Sequence, residues 1–117
     1  GGAAILPRRI GLNRAKYLLF SGENVSAQDM MDWGLVNKVV PDAELHDAVQ
    51  AFTDKLADKS PAVLRRMKAV ANRSLNVDEA AALSEEMLNL RAHMRSWDMR
   101  EGLAAFNEKR KPQFRGY

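Results

Sequence analysis

Helix starts and helix stops recur so closely along this chain that little except short helices fits between them. Ser26, Asp42 and the Ser60-Pro61 pair are start signals, and Gly22 and Gly34 are stops. A serine or aspartate before a helix accepts from a free first-turn amide, and proline suits the first helical position. Glycine takes the left-handed residue after the last turn. These signals predict a helix from Ile10 to Phe20 behind Pro7, ending near Ser21-Gly22. Ser26 caps a short helix from Ala27 to Trp33, closed by Gly34. Leu35 to Val40 is the one strand-like run, apolar, rich in valine and ended by Pro41.

Asp42 caps the next helix, roughly Ala43 to Lys59, with Leu45, Val49, Phe52 and Leu56 on one stripe. Ser60-Pro61 opens a helix to about Leu75, with Val63, Met67 and Val70 inward. Asn76 with Glu79, and Asp98 with Glu101, have the spacing of a capping box. The first opens the longest helix, to about Arg95, on a face of Leu83, Met87, Leu90 and Met94. The second opens a last helix carrying Met99, Leu103 and Phe106, which Pro112 stops before a tail from Gln113 to Tyr117. The fold class is therefore mainly α: five or six helices with one short strand near 35–40. Ala3, Ala4, Ile5 and Leu6 have no evident partner in the chain, so they are expected to pack on something outside it.

Composition narrows the chemistry. Of 117 residues 46% are apolar and 28% charged, which argues for a globular chain rather than a disordered one. There is no cysteine, which excludes thiolate catalysis, disulfide staples and cysteine-ligated zinc or iron–sulfur sites. No run approaches the length of apolar sequence that spans a bilayer, and no membrane partner is expected. A cytoplasmic, reducing compartment is the expectation. The net charge of +3 is too small to imply a nucleic-acid partner. The charge is uneven, however: Arg91 to Tyr117 holds seven basic and three acidic residues. A solvated tail is the plain explanation, and contact with phosphate or another subunit the functional one.

Catalytic signals are missing. His46 and His93 lie far apart, without the i, i+4 partner of a helical metal site, and both read as surface residues. No metal ligands are expected. There is no Gly-x-Ser-x-Gly elbow, no Gly-x-Gly-x-x-Gly and no phosphate loop. The carboxylates lie in helical surface patterns that suit the helix dipole or ion pairs. Trp33 and Trp97 stand at helix ends, where a ring packs while its N–H reaches water. Lys109-Arg110-Lys111 follows Phe106 by one turn, either as a solvated helix end or as a phosphate contact beside an aromatic floor.

Several blocks taken in order carry more information. Leu6-Pro7-Arg8-Arg9-Ile10-Gly11, Arg14-Ala15, Ser21-Gly22, Ser26-Ala27-Gln28-Asp29 and Gly34-Leu35-Val36-Asn37-Lys38-Val39-Val40-Pro41 resemble the enoyl-CoA hydratase/isomerase (crotonase) family. Glu101-Gly102, Ala105-Phe106 and Glu108-Lys109-Arg110-Lys111-Pro112 resemble the family's usual terminus. The resemblance implies the C-terminal helical region of a crotonase (ClpP/crotonase-like) fold. Residues 1–22 would end the family core, as active-site loop and following helix, and residues 23–117 would form the helical oligomerisation region. Family members are about twice as long. Their front part, a β–β–α spiral, carries the oxyanion-hole amides and two proton-moving glutamates, and the second glutamate shortly precedes the place of Gly1-Gly2. A start without methionine agrees with a piece of something longer. No catalytic residue carries over.

The resemblance further implies an acyl-CoA substrate and a homo-oligomer, a trimer or dimer of trimers. It implies no separate cofactor, since coenzyme A is part of the substrate. Phe106 and Lys109 match positions near bound coenzyme A, with the lysine on a nucleotide phosphate; Leu90 matches a lining position more weakly. Gly1-Gly2-Ala3-Ala4 stands where many hydratases carry Gly-Gly-Thr-Gln, a departure that bears on reaction subtype. The function expected is that of a C-terminal segment of an enzyme for reversible hydration of 2-enoyl-CoA, or isomerisation through a thioester enolate, inactive by itself. Two rivals differ in class. One is a non-catalytic helical oligomerisation or interaction module. The other is a nucleic-acid binder working through the basic tail, with steep salt dependence.

Overall fold

The computed structural model describes residues 1–117 and is 70% helical. Its helices are α1 (Gly2–Ile10), α2 (Leu12–Ser21), α3 (Ala27–Asp32), α4 (Leu45–Ala57), α5 (Pro61–Ser74), α6 (Glu79–Met94) and α7 (Trp97–Asn107). A single 3-10 turn, Asp42–Glu44, leads into α4. The chain forms two compact units, Gly1–Ala48 and Val49–Tyr117.

The mainly α expectation holds, with seven helices rather than five or six, and with no strand. Residues 35–40 are irregular backbone. The reason is partnership: a strand needs a second strand to take its amides and carbonyls, and this sequence has no other strand-like run.

In the first unit, helix formation begins earlier than the sequence signals suggest. Pro7 lies inside α1, where it removes one i→i−4 hydrogen bond, instead of standing before a helix. The break falls at Gly11, whose φ of 83° lies outside the reach of most side chains. α1 and α2 pack together around buried Ile10 and Ala15. The stop at Gly22 is as expected, left-handed with its amide on the Leu18 carbonyl. Ser26 caps α3 by accepting from the Asp29 amide at 3.0 Å. α3 then ends in a paired 6→1 and 5→2 cap: Leu35 N–H reaches the Met30 carbonyl and Gly34 N–H the Met31 carbonyl, each at 2.9 Å. Trp33 stands edge-on to Tyr17, with the Arg14 guanidinium 5.6 Å above its ring.

In the second unit α5 lies beside α6, and α6 meets α7. Ser60 caps α5 with Pro61 at the first position, as the sequence indicates, accepting from Val63 N–H at 3.2 Å. Three other caps differ. Asp42 makes no side-chain cap bond. Asp78, not Asn76, caps α6 by accepting from Ala81 N–H at 2.9 Å. Ser96, not Asp98, caps α7 by accepting from Met99 N–H at 3.1 Å.

The predicted stripes exist but remain uncovered. Leu45, Val49, Phe52 and Leu56 are all exposed, as are Met67, Leu83, Met87, Leu90, Met94 and Leu103. Buried apolar residues are confined to Ile10, Ala15, Ala62 and Ala105. The chain leaves 9248 Å² accessible. A 13.1 kDa chain folded as one compact body leaves about 6,400 Å², and folded as two separate bodies about 7,700 Å². Exposed apolar helix side chains contribute to the difference.

This distribution yields an asymmetric mutational response, read by urea denaturation. Phe52→Ser, at a ring 58% exposed, is expected to change stability by under about 0.5 kcal/mol. Ala105→Leu, at a methyl 1% exposed, is expected to cost about 1–3 kcal/mol through overpacking.

Candidate functional site

The densest polar organisation surrounds α7 and the residues after it. Asp98, second residue of α7, is 1% exposed, the most buried charged side chain in the chain. Its carboxylate accepts from Arg115 N–H at 2.8 Å, from Gly116 N–H at 3.1 Å and from the Ser60 hydroxyl. Its own N–H donates to the Tyr117 carbonyl at 3.1 Å. Burial pushes this carboxyl up, but the Ser60 hydroxyl, the Arg115 and Gly116 amides and the nearby His93 outweigh it, so its pKa ends below the ordinary value.

The expected free tail is therefore fastened down. Arg65 of α5 donates to the Gly116 carbonyl at 2.5 Å. The Arg115 guanidinium lies 4.5 Å over the Trp97 ring, and Trp97 and Tyr117 rings meet at 6.3 Å. Gly116 needs its φ of 87° to offer its amide to Asp98.

A second carboxylate fastens the same segment one turn further along. Glu101 accepts from both ends of the Arg110 fork, at 2.5 and 3.0 Å, and from Gln113 N–H at 2.7 Å. Its side chain is only 10% exposed. The Arg110 hydrogen bonds, then the Gln113 amide, hold its pKa at about 2. Arg110 also pairs with Glu108 at 2.5 Å.

Between these contacts lies Lys109, whose φ of 53° makes it the one left-handed residue that is not glycine. It occupies the position after the α7 C-cap. Arg110 N–H bonds the Ala105 carbonyl at 3.0 Å and Lys109 N–H the Phe106 carbonyl at 3.3 Å, the same paired cap that Gly34 serves on α3. Of the three consecutive cations, Arg110 pairs with Glu101 and Glu108, and Lys111 with Asp58 at 2.7 Å. The Lys109 ammonium has no ion-pair partner. Phe106, one turn before, is 82% exposed, the most exposed large apolar side chain in the chain.

Leu90 lies elsewhere, on the wall of a groove of about 520 Å³ between α5 and α6 that Val63, Met67, Val70 and Leu83 also line. His46 is exposed as expected. His93 is half-buried, a correction: it also lines the groove, and its Nδ1 stands 3.1 Å from the Ser96 hydroxyl. The sequence also missed Asp98 as an anchor. Its only signal was position, an acid in a first turn, and the Glu101 spacing disguised it as a cap.

Comparison with known proteins identifies the family. The enoyl-CoA hydratase/isomerase family profile matches residues 1–117, and the chain belongs to that family. It is 36% identical to the crotonyl-CoA hydratase of Syntrophomonas wolfei over 97% of this chain and 44% of that protein. It is 34% identical to the enoyl-CoA isomerase/hydratase fer4 of Mycosarcoma maydis, over 99% of this chain and 42% of that protein. The crystal structure of enoyl-CoA hydratase from Bacillus anthracis superposes with a TM-score of 0.96 at 36% identity, over all of this chain and 45% of that one. The chain thus spans less than half the length of these relatives and matches their C-terminal part. No helix is long and apolar enough to cross a membrane.

The two carboxylate clamps set an acid limit. Both carboxyls sit below their unfolded values, so their stabilising contribution is present above the ordinary carboxylate range and is lost as pH falls through and below it, Glu101 holding its share until about pH 2. Protection of the Gln113, Arg115 and Gly116 amides, corrected for intrinsic exchange, is expected to fall through that window, ahead of that of amides in α5. Asp98→Ala is expected to release the tail at neutral pH and cost about 3 kcal/mol, because a buried hydroxyl and two amides lose their acceptor.

Proposed function

We propose that the chain is the C-terminal segment of an enzyme acting on acyl-coenzyme A thioesters, by reversible hydration of 2-enoyl-CoA or by isomerisation through a thioester enolate. In this reading it supplies a coenzyme A contact and the surface for self-association, while oxyanion donors and proton-moving glutamates come from outside these residues. The observation that carries the coenzyme A contact is the unpaired, left-handed Lys109, followed by two cations that are both held in ion pairs. A non-glycine residue in that conformation costs of order 1 kcal/mol and persists where surrounding contacts impose it. A compact ammonium free of carboxylates suits a nucleotide phosphate. The exposed Phe106 ring, one turn back, suits an apolar or adenine face.

The uncovered faces of α4 and α6 favour self-association as the second part of the reading, in the trimer or dimer of trimers that the resemblance implies. Residues 1–22 then complete an enzyme core and residues 23–117 the assembly region.

Pure chain is expected to leave crotonyl-CoA unchanged; measurable conversion, free of host enzyme, would overturn the non-catalytic assignment. Amide-resolved NMR titration with coenzyme A is expected to move Phe106, Lys109 and Lys111. Lys109→Gly is expected to stabilise the chain by about 0.5–1 kcal/mol by relaxing the left-handed residue, while weakening coenzyme A binding. Absence of shifts at millimolar coenzyme A would sink the contact.

A further inference from the structure

The structure assigns Glu101 as the positioning residue for Lys109: by fastening Arg110 and Gln113 to α7, it keeps Lys109 left-handed and its ammonium free for a phosphate of coenzyme A. This rests on the reading that Lys109 contacts such a phosphate. The chain must reverse direction immediately after α7, and the reversal falls on Lys109, where lysine is disfavoured and glycine would be free. Two backbone bonds close the turn, one of them long at 3.3 Å. Glu101 holds the far side with three hydrogen bonds, taking Arg110 at both fork nitrogens and the Gln113 amide beyond Pro112. Residues on both sides of Lys111-Pro112 are thereby tied to one carboxylate.

The same fork settles the charges. Arg110 engages the carboxylates of both Glu101 and Glu108, at 2.5 Å each. A planar guanidinium can bind two carboxylates in fixed directions, and a lysine ammonium does not compete for that geometry. Lys111 is drawn to Asp58 instead. The ammonium left over is that of Lys109. Were Glu101 neutral, Arg110 would lose its bidentate partner, the turn could relax to ordinary backbone, and Lys109 could fall onto Glu108.

The test uses the full chain with Glu101→Gln, which keeps an acceptor for Gln113 but removes the charge, and Arg110→Gln, which breaks the same pair from the other side. In the free chain, a strong intraresidue HN–Hα Overhauser effect at Lys109 reports the left-handed backbone. Both variants are expected to lose it while the Arg115 and Gly116 amide shifts, set by Asp98, stay in place. With coenzyme A as ligand, Lys109→Ala is expected to weaken binding about tenfold and Glu101→Gln about fivefold. In the double variant the Glu101 substitution is expected to have no further effect, because its influence passes through Lys109. Additive losses would make Glu101 merely structural and overturn the inference, as would a Glu101→Gln chain that keeps the Lys109 signal and the parent affinity. Unchanged binding by Lys109→Ala, or no binding by the parent chain, would instead defeat the phosphate reading; the Overhauser signal then decides alone whether Glu101 sets the turn.

Discussion

The buried carboxylate of Asp98 is the interaction on which the C-terminal unit depends. It joins three pieces of chain: the N-terminus of α5 through Ser60, the start of α7, and the last residues through the Arg115 and Gly116 amides. The apolar core around it is slight, with alanines at its buried positions. A buried charge is tolerated only when its lone pairs are engaged, and here three groups engage them while the helix N-terminus adds its own favourable field. Ser60 does double service, accepting from α5 and donating to Asp98, so the start of one helix is tied to the start of another.

This polar fastening explains how the end of the chain can be ordered while so much apolar surface stays open. The stripes on α4 and α6 have the periodicity of core faces, yet their leucines and methionines are 40–57% exposed. Hydrophobic burial within the chain is therefore a minor source of its order, and local hydrogen bonding a major one. Faces of this size are suited to partner surfaces, whether from another copy or from further polypeptide.

Glu101 extends the same logic to the region with a functional reading. A carboxylate held near pKa 2 by an arginine fork is charged throughout the physiological range, so the turn it braces is permanently set. The strain at Lys109 is small and local, and the neighbouring bonds are sufficient to hold it. Sequence proximity alone grouped Lys109, Arg110 and Lys111 as one basic patch, whereas pairing divides them into two structural cations and one available one.

What the sequence determined by itself were the features that depend on a few adjacent residues. Gly22 and Gly34 stop helices because only glycine takes their backbone freely, and Ser26 and Ser60 cap because a hydroxyl reaches the amide three residues on. The ordered family blocks were legible for the same reason, being short and contiguous. Tertiary structure alone decided the rest. The strand expected at 35–40 did not form, since pairing needs a partner that periodicity cannot supply. Asp98 looked like a cap until Ser96 took that place and the tail folded back on it. The stripes predicted which residues align, but whether an aligned face is covered depends on what lies opposite, and that is a property of distant chain rather than of neighbours.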